Sequence, residues 1–391
     1  MEHMSYLETA ESYDFWCALW AIGTGVGYGV YVDRPNSPVH CNWYIILCAE
    51  SGVTRKSTAI SSIRDILGGH CPILTGKTSP ENLELYLHDS TAEGTTARAH
   101  FAVGELTTIL GREGYMSTMP ALLTDLYDCP PLRTSPGTLA SGELIQKDVY
   151  VTFLSASSPA WLVTCINPVV IEGGFASRVI FIVDDQRKAS ISWPKPRPVC
   201  SYKNLRSSFE STILAAKEVG GISITEPALA RFSKWYRGRA SHSDPFLSSF
   251  EAREDDHTLR AAACLCINDG TLEIQTAHIT AAIQLISNAK DKAASLFGGD
   301  FDRKSKLVGA IGRVRQVLLD AGGDGIAHTK LQQKVVRIIN ATELRLLINI
   351  LHECGMIQIF DRGKGGKFYR ATKVIEKFGV TSEILANLNL L

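Results

Sequence analysis

The sequence predicts an α/β protein in three parts: a core with several short strands over 1–192, a helical region over 199–298 and a small basic domain over 303–391. Three observations carry this. Asn42 to Cys48 is an apolar run, rich in aromatic and β-branched residues and short enough to be an interior strand; a small polar loop and a helix-periodic segment follow it. His100–Leu106, Val149–Leu154 and Val179–Val183 read as three more short buried strands. Behind a run of helical periodicity, the end of the chain reads helix, helix, helix, β-hairpin.

The first strand leads into Ala49 to Thr58, after which Ala59, Ile60, Ile63, Ile66 and Leu67 fall at helical spacing. Strand, loop, Lys-Ser/Thr, helix is the context of a phosphate-binding P-loop. Backbone N–H groups in the loop and at the helix start face an anion, a lysine adds a point charge, and a hydroxyl holds Mg²⁺. The candidate nucleotide-binding residues are Ser51, Gly52, Val53, Thr54, Arg55, Lys56, Ser57 and Thr58, with Ser57 or Thr58 as the metal-holding hydroxyl. The standard pattern is not met in full. Arg55 stands where Gly precedes Lys, and Glu50 stands at the spacing of the first Gly; a loop opened by Ala49 is one residue longer than usual. The bland alternative is a strand–turn–helix with a solvated Arg-Lys pair, and the later segments weigh against it.

Before this motif, Phe15 to Val32 carries no charge but holds Gly23, Gly25, Gly27 and Gly29, which predicts a buried helix and a Gly-rich turn, not a membrane span. After it, Ser79-Pro80-Glu81 is a helix start: serine cap, Pro in the first turn, acid behind it. The strand His100–Leu106 ends on Glu105, placed to orient an attacking water and support the metal, on a strand expected to lie beside that of the loop. Gly104 occupies the position where an Asp often precedes such a Glu, so Glu105 acts alone; Asp125 and Asp128 are the next acids in line. Leu122 to Asp128 reads as a helix and 132–148 as a hairpin insertion. Ser155 and Ser157, at the end of the third strand, are candidate γ-phosphate sensors; a serine-rich turn is the plainer reading. Arg178, after Gly173-Gly174 at the head of the fourth strand, is placed to meet phosphate charge in its own subunit or in a neighbour's. A structural surface arginine is the alternative.

Ser192 to Pro198 is a Pro-rich linker. Leu205 to Phe297 is mostly helical by pattern, as a lid over the core would be, and Arg253 or Arg260 would reach the nucleotide from it. Charge separates the last part. From Arg303 onward 15 Lys and Arg face 7 Asp and Glu, in a chain with 40 of each, so a tail of about +8 follows a body of about −8. Helices at 307–321, 329–336 and 341–354, then a hairpin with a Gly-rich basic turn, make a winged helix-turn-helix. Its candidate DNA-contacting residues are Lys330, Lys334, Arg337, Arg345, Arg362, Lys364 and Lys367; protein docking is the other use of such a domain. The ten cysteines lack CxxC pairs and the Cys and His residues lack ligand spacing, which argues for reduced thiols in a cytoplasm and against zinc.

These stations in order resemble a family of helicase-like P-loop ATPases of phages, plasmids and chromosomal islands, distantly similar to AAA+ helicases of the minichromosome-maintenance type. The resemblance spans Phe15 to about Phe297. It rests on Asn42-Trp43-Tyr44 entering the loop strand, on Arg55-Lys56-Ser57-Thr58 and on Val103-Gly104-Glu105. Leu126-Tyr127-Asp128, Leu154-Ser155-Ala156-Ser157 and Gly174-Phe175-Ala176-Ser177-Arg178 complete it; the last is like the family's Gly-Phe-x-x-Arg signature. It implies an AAA+-like ATPase using ATP and Mg²⁺ at the interfaces of a homo-oligomeric ring, a hexamer, in the cytoplasm of a bacterial host. It further implies translocation on single-stranded or forked DNA during replication, beside a primase or initiator. Two other functions fit the same residues. One is a nucleotide-switched DNA-binding initiator or regulator with little hydrolysis; the other is an assembly scaffold with a protein-docking winged helix.

Overall fold

The computed structural model describes residues 7–92, 96–110, 118–136, 142–165, 174–193, 199–239, 242, 244–297, 313–335, 339, 341–353, 355–361 and 366–373. The chain divides into two compact units, Met1–Gly298 and Gly299–Leu391. The stretch 199–298, expected as a lid, belongs to the first.

The first unit is α/β. Helix α1 (Glu11–Val26) leads through β1 (Tyr31–Val32) and β2 (Val39–His40) to β3 (Tyr44–Cys48), then α2 (Lys56–Leu67), α3 (Pro80–Ala92) and β4 (Arg98–Val103). Helix α4 (Met119–Tyr127) and the hairpin β5 (Leu132–Pro136) and β6 (Glu143–Lys147) precede β7 (Tyr150–Ser157). Next come α5 (Pro159–Cys165), a single turn α6 (Phe175–Arg178) and β8 (Val179–Val183). Ser79 accepts from the Asn82 N–H at the start of α3, the cap that its position predicts.

Strands β4, β7, β3 and β8 form, in that order, an entirely parallel sheet. All of β3 and β7 is buried, as expected of a parallel sheet covered on both faces. The order corrects one expectation: β4, which leads to Glu105, does not lie beside β3, because β7 is inserted between them. The connection leaving β3 runs past β7 to β4, and the one leaving β7 runs past β3 to β8. With right-handed crossovers these depart to opposite faces, which opens a crevice at the carboxyl ends of β3 and β7. Beyond β4 the sheet gains one bridge, Leu74 parallel to Phe101.

Helix α1 packs against β3, β7 and β8. A Cβ on its Gly23 would sit 2.0 Å from the Cys41 carbonyl oxygen, so only glycine lets the helix approach this closely. Among the described residues no helix is long and apolar enough to cross a membrane.

The rest of the unit contains α7 (Val199–Val219), β9 (Gly221–Ile224), α8 (Glu226–Arg237), α9 (Pro245–Glu251), α10 (Glu254–Asn268), β10 (Glu273–Ile274) and α11 (Thr276–Phe297). Strands β10, β9, β1 and β2 make a second small sheet, which ties this helical stretch to the chain entering β3.

In the second unit residues 313–320 form a helix (α12), followed by β11 (Ile326–Ala327), α13 (His328–Val335), α14 (Ala341–Glu353), β12 (Ile357–Asp361) and β13 (Lys367–Ala371). The strands form an antiparallel sheet in the order β11, β13, β12. Val314, Leu318, Leu331, Leu344, Leu347 and Tyr369 are among the side chains of its own core.

Candidate functional site

The loop after β3 is anchored from α1. Tyr13 Oη donates to the Cys48 carbonyl at 2.8 Å and lies 3.1 Å from that of Asp184, at the carboxyl ends of β3 and β8, and the buried Thr54 hydroxyl reaches Tyr13 Oη at 3.4 Å. The Ala49 N–H donates to the Ser157 carbonyl, closing the loop onto β7. Ser51, Gly52 and Val53 are exposed at its tip.

Arg55 ends the loop at φ 53°, ψ 39°, the left-handed conformation, directly before Lys56 opens α2. This is the position where the P-loop pattern asks for glycine. An L side chain here costs roughly 1–2 kcal/mol, and the Arg55–Glu8 ion pair at 3.2 Å holds it in place. Arg55→Gly is therefore expected to leave stability unchanged or to raise it by up to about 1 kcal/mol, whereas Arg55→Val lowers it. Denaturant midpoints check this; a clear loss in the glycine variant would show that the ion pair, not backbone strain, dominates.

Lys56 folds back over the loop and donates from Nζ to the carbonyls of Ala49 (2.6 Å) and Glu50 (3.0 Å). Burial holds its ammonium below the usual lysine value, while Cys48, Glu105 and Glu50 pull the other way. Ser57 and Thr58 are exposed on the first turn of α2. Of the two, Ser57 faces β4: a Cβ on Gly104 would lie 3.8 Å from its Oγ. Glu105, the next residue, is exposed and extended at φ −135°. Ser157 pairs in register with Cys48, between the loop and the end of β4, and its hydroxyl donates to Ser158. Ser155 lies deeper and donates to the Val103 carbonyl at 3.0 Å, so its hydroxyl is committed to the sheet.

Lys56, Ser57, Glu105 and Ser157 thus meet at one edge of the sheet. Arg178, Arg253 and Arg260 do not join them. Val179, at the head of β8, pairs with Tyr44 at the entry of β3, so Arg178 stands at the opposite, amino-terminal edge. There it bonds Asp128 at 2.7 Å and the Gly174 carbonyl at 3.0 Å, while its Nε is buried without a partner among the described residues. Arg253 bonds the other oxygen of Asp128 at 2.7 Å and lies 3.6 Å from Asp256. Burial works against ionising Asp128, but the two arginines outweigh it and hold the carboxyl below its usual value.

Arg260, expected as a sensor, is 3 % exposed. It donates to the His40 carbonyl at 2.7 Å and to Tyr127 Oη, and stacks over Trp43 and Tyr127. Its role here is to hold the chain entering β3. Burial, then the Arg260 charge, pushes His257 down to about 3, so this ring is a neutral part of the same packing. Asp125 is bound by Arg133 at 2.6 Å and Asp128 by the arginine pair, so neither acid stands behind Glu105.

A scan of the chain against protein-family models finds no match, and a search of curated proteins finds none. The site's geometry therefore carries the functional reading alone. Among the described residues no group of three or more His, Cys, Asp or Glu could hold a metal unaided; a cation here would need phosphate oxygens and water beside Ser57.

Two contributors escaped the sequence reading. Tyr13 gave no signal beyond an aromatic residue in an apolar helix. The bridging role of Asp128 was hidden because its partners are 50 and 125 residues away. In the second unit Lys330 and Lys334 are exposed on α13, Arg345 on α14 and Lys367 at the start of β13; Arg337, Arg362 and Lys364 lie outside the described residues.

Proposed function

We propose that the protein is an ATP-hydrolysing motor on DNA, with a P-loop core of AAA+ type, residues 199–298 as its lid and a winged-helix domain at its end. The observation that carries the reading is the meeting of Ser57 with Gly104–Glu105 at the sheet edge where Lys56 opens α2. Lys56 leaves the carbonyls of Ala49 and Glu50 for the β- and γ-phosphates, the N–H groups from Ser51 to Thr58 cradle them, and Ser57 takes Mg²⁺. Glu105, exposed and next in the chain to Gly104, polarises the attacking water, and Ser157 senses the γ-phosphate. Arg178 serves the site of a neighbouring subunit in a ring. The exposed cations Lys330, Lys334, Arg345 and Lys367 contact DNA phosphates.

ATP turnover stimulated by single-stranded or forked DNA tests the proposal. Glu105→Gln keeps shape and removes the charge that orients water, so it should bind ATP as the wild type does and lose turnover by about 10²-fold or more. Wild-type turnover in that variant would place the catalytic acid elsewhere. Gly104 favours a second reading. With no carboxylate at that position the metal has one acidic support fewer, which suits a slow nucleotide switch governing DNA binding. Turnover that DNA does not raise would favour the switch.

A further inference from the structure

The amino-terminal edge of the parallel sheet holds a cavity of about 260 Å³ that the proposed reaction does not use. The end of α1, the turn after α2, the first residues of β4 and β7, and α7 enclose it. Arg98 enters it from β4 and Lys217 from α7. Among the described residues neither has a carboxylate partner.

The acid in the wall is Glu210, and it is already engaged. Its Oε1 lies 2.9 Å from His70 Nε2, out of line for a hydrogen bond, and 3.4 Å from Arg206 Nε. Below the cations the wall is polar but uncharged. His100 bonds Thr152, and Thr152 bonds Thr24, each at 2.9 Å. Burial, then the charges of Arg98 and Lys217, pushes His100 down to about 3, so it adds no positive charge. Burial, then Arg98, also holds the Lys217 ammonium below its usual value. Two cations converging on a concavity whose acid, Glu210, lies against His70 and Arg206 instead repel each other, and low-dielectric walls sharpen the field between them. A small anion relieves both costs. Arg offers a planar fork of donors and Lys a point charge, a pairing that suits the oxygens of a phosphate.

We propose that this cavity binds a small phosphate-bearing anion, inorganic phosphate or a phosphomonoester, between Arg98 and Lys217. The site is separate from the loop of residues 49–55. Helix α2 begins at that loop and its 12 residues end beside the cavity, roughly 18 Å away. A backbone phosphate of nucleic acid offers the same chemistry, but a concavity of this size, with Lys217 exposed at its rim, favours a free anion over a continuous strand.

The test uses the full chain carrying Lys56→Ala, so that the loop is silent, at constant ionic strength. Inorganic phosphate, a nucleoside monophosphate and a single-stranded oligonucleotide are each titrated by calorimetry and by melting temperature. Phosphate or the monophosphate should bind saturably and raise the melting temperature. Lys217→Gln, on an exposed position that leaves the fold intact, should weaken this binding about tenfold or more, and adding Arg98→Gln should abolish it. Lys234→Gln, an exposed lysine of α8, should change nothing. Absence of saturable binding, undiminished binding in Lys217→Gln, or a response to the oligonucleotide alone would each overturn the proposal. None of these outcomes bears on the loop, which is disabled throughout.

Discussion

Lys56→Ala is expected to abolish nucleotide binding while the fold persists. Hydrogen bonds to charged groups are worth about 1.5–3 kcal/mol each, so losing an ammonium shared by two phosphates should weaken ATP binding by roughly 10²-fold or more. The side chain is only half-buried, and its present partners are two loop carbonyls, that of buried Ala49 and that of exposed Glu50. The melting temperature of the empty protein should therefore move by no more than about 4 °C. Calorimetric titration with ATP checks the result, and unchanged affinity would remove the P-loop assignment and the motor with it.

Arg178→Ala is expected to cost about 10³-fold or more in turnover with ATP binding retained, because an arginine finger neutralises charge that develops only in the transition state. The register of the sheet makes the partner of this arginine specific. Arg178 precedes Val179, which pairs with Tyr44, whereas the loop follows Cys48. The five residues of β3 separate the two by roughly 16 Å, so a phosphate held by the loop of its own subunit is out of reach of Arg178. Mixing inactive Arg178→Ala and Lys56→Ala subunits one to one should then restore activity. Wherever an intact loop faces an intact arginine an interface works, which gives up to about a quarter of wild-type turnover if interfaces act independently. No recovery, with subunit exchange demonstrated by fluorescence transfer, would leave Arg178 a structural residue that pins Asp128.

The local pieces of this architecture were legible in the chain. Asn42 to Cys48 is apolar enough to be an interior strand, Ser79-Pro80-Glu81 starts a helix, and 132–148 is a hairpin, because each signal lies within a few residues of what it determines. What was hidden is non-local. Nothing in His100–Leu106 tells that β7 will come between it and β3, since strand order depends on crossovers of fifty residues. The two-residue ladders of β1 with β9 and of β9 with β10 are too short to have a pattern. Arg260 was misplaced for a physical reason. A charged side chain ahead of the apolar run Ala261–Ile267 reads as a helix end in solvent, and only the tertiary fold supplies the carbonyl, hydroxyl and aromatic faces that allow its burial. At Arg55 the pattern's glycine is missing, and the backbone there takes the left-handed conformation that glycine adopts most readily.

The sharing of Asp128 between Arg178 and Arg253 has a consequence for a subunit on its own. Asp256, 3.6 Å from Arg253, also pairs with Arg34 at 2.8 Å, so each of these two carboxylates bridges two arginines. A solitary protomer therefore keeps Arg178 engaged with a carboxylate of its own chain. For Arg178 to reach a neighbour's phosphate, that phosphate must displace an internal carboxylate. The exchange swaps one anion for another and leaves the net solvation of the arginine nearly unchanged, so the face becomes selective for a correctly seated, multiply charged anion over salt ions at large.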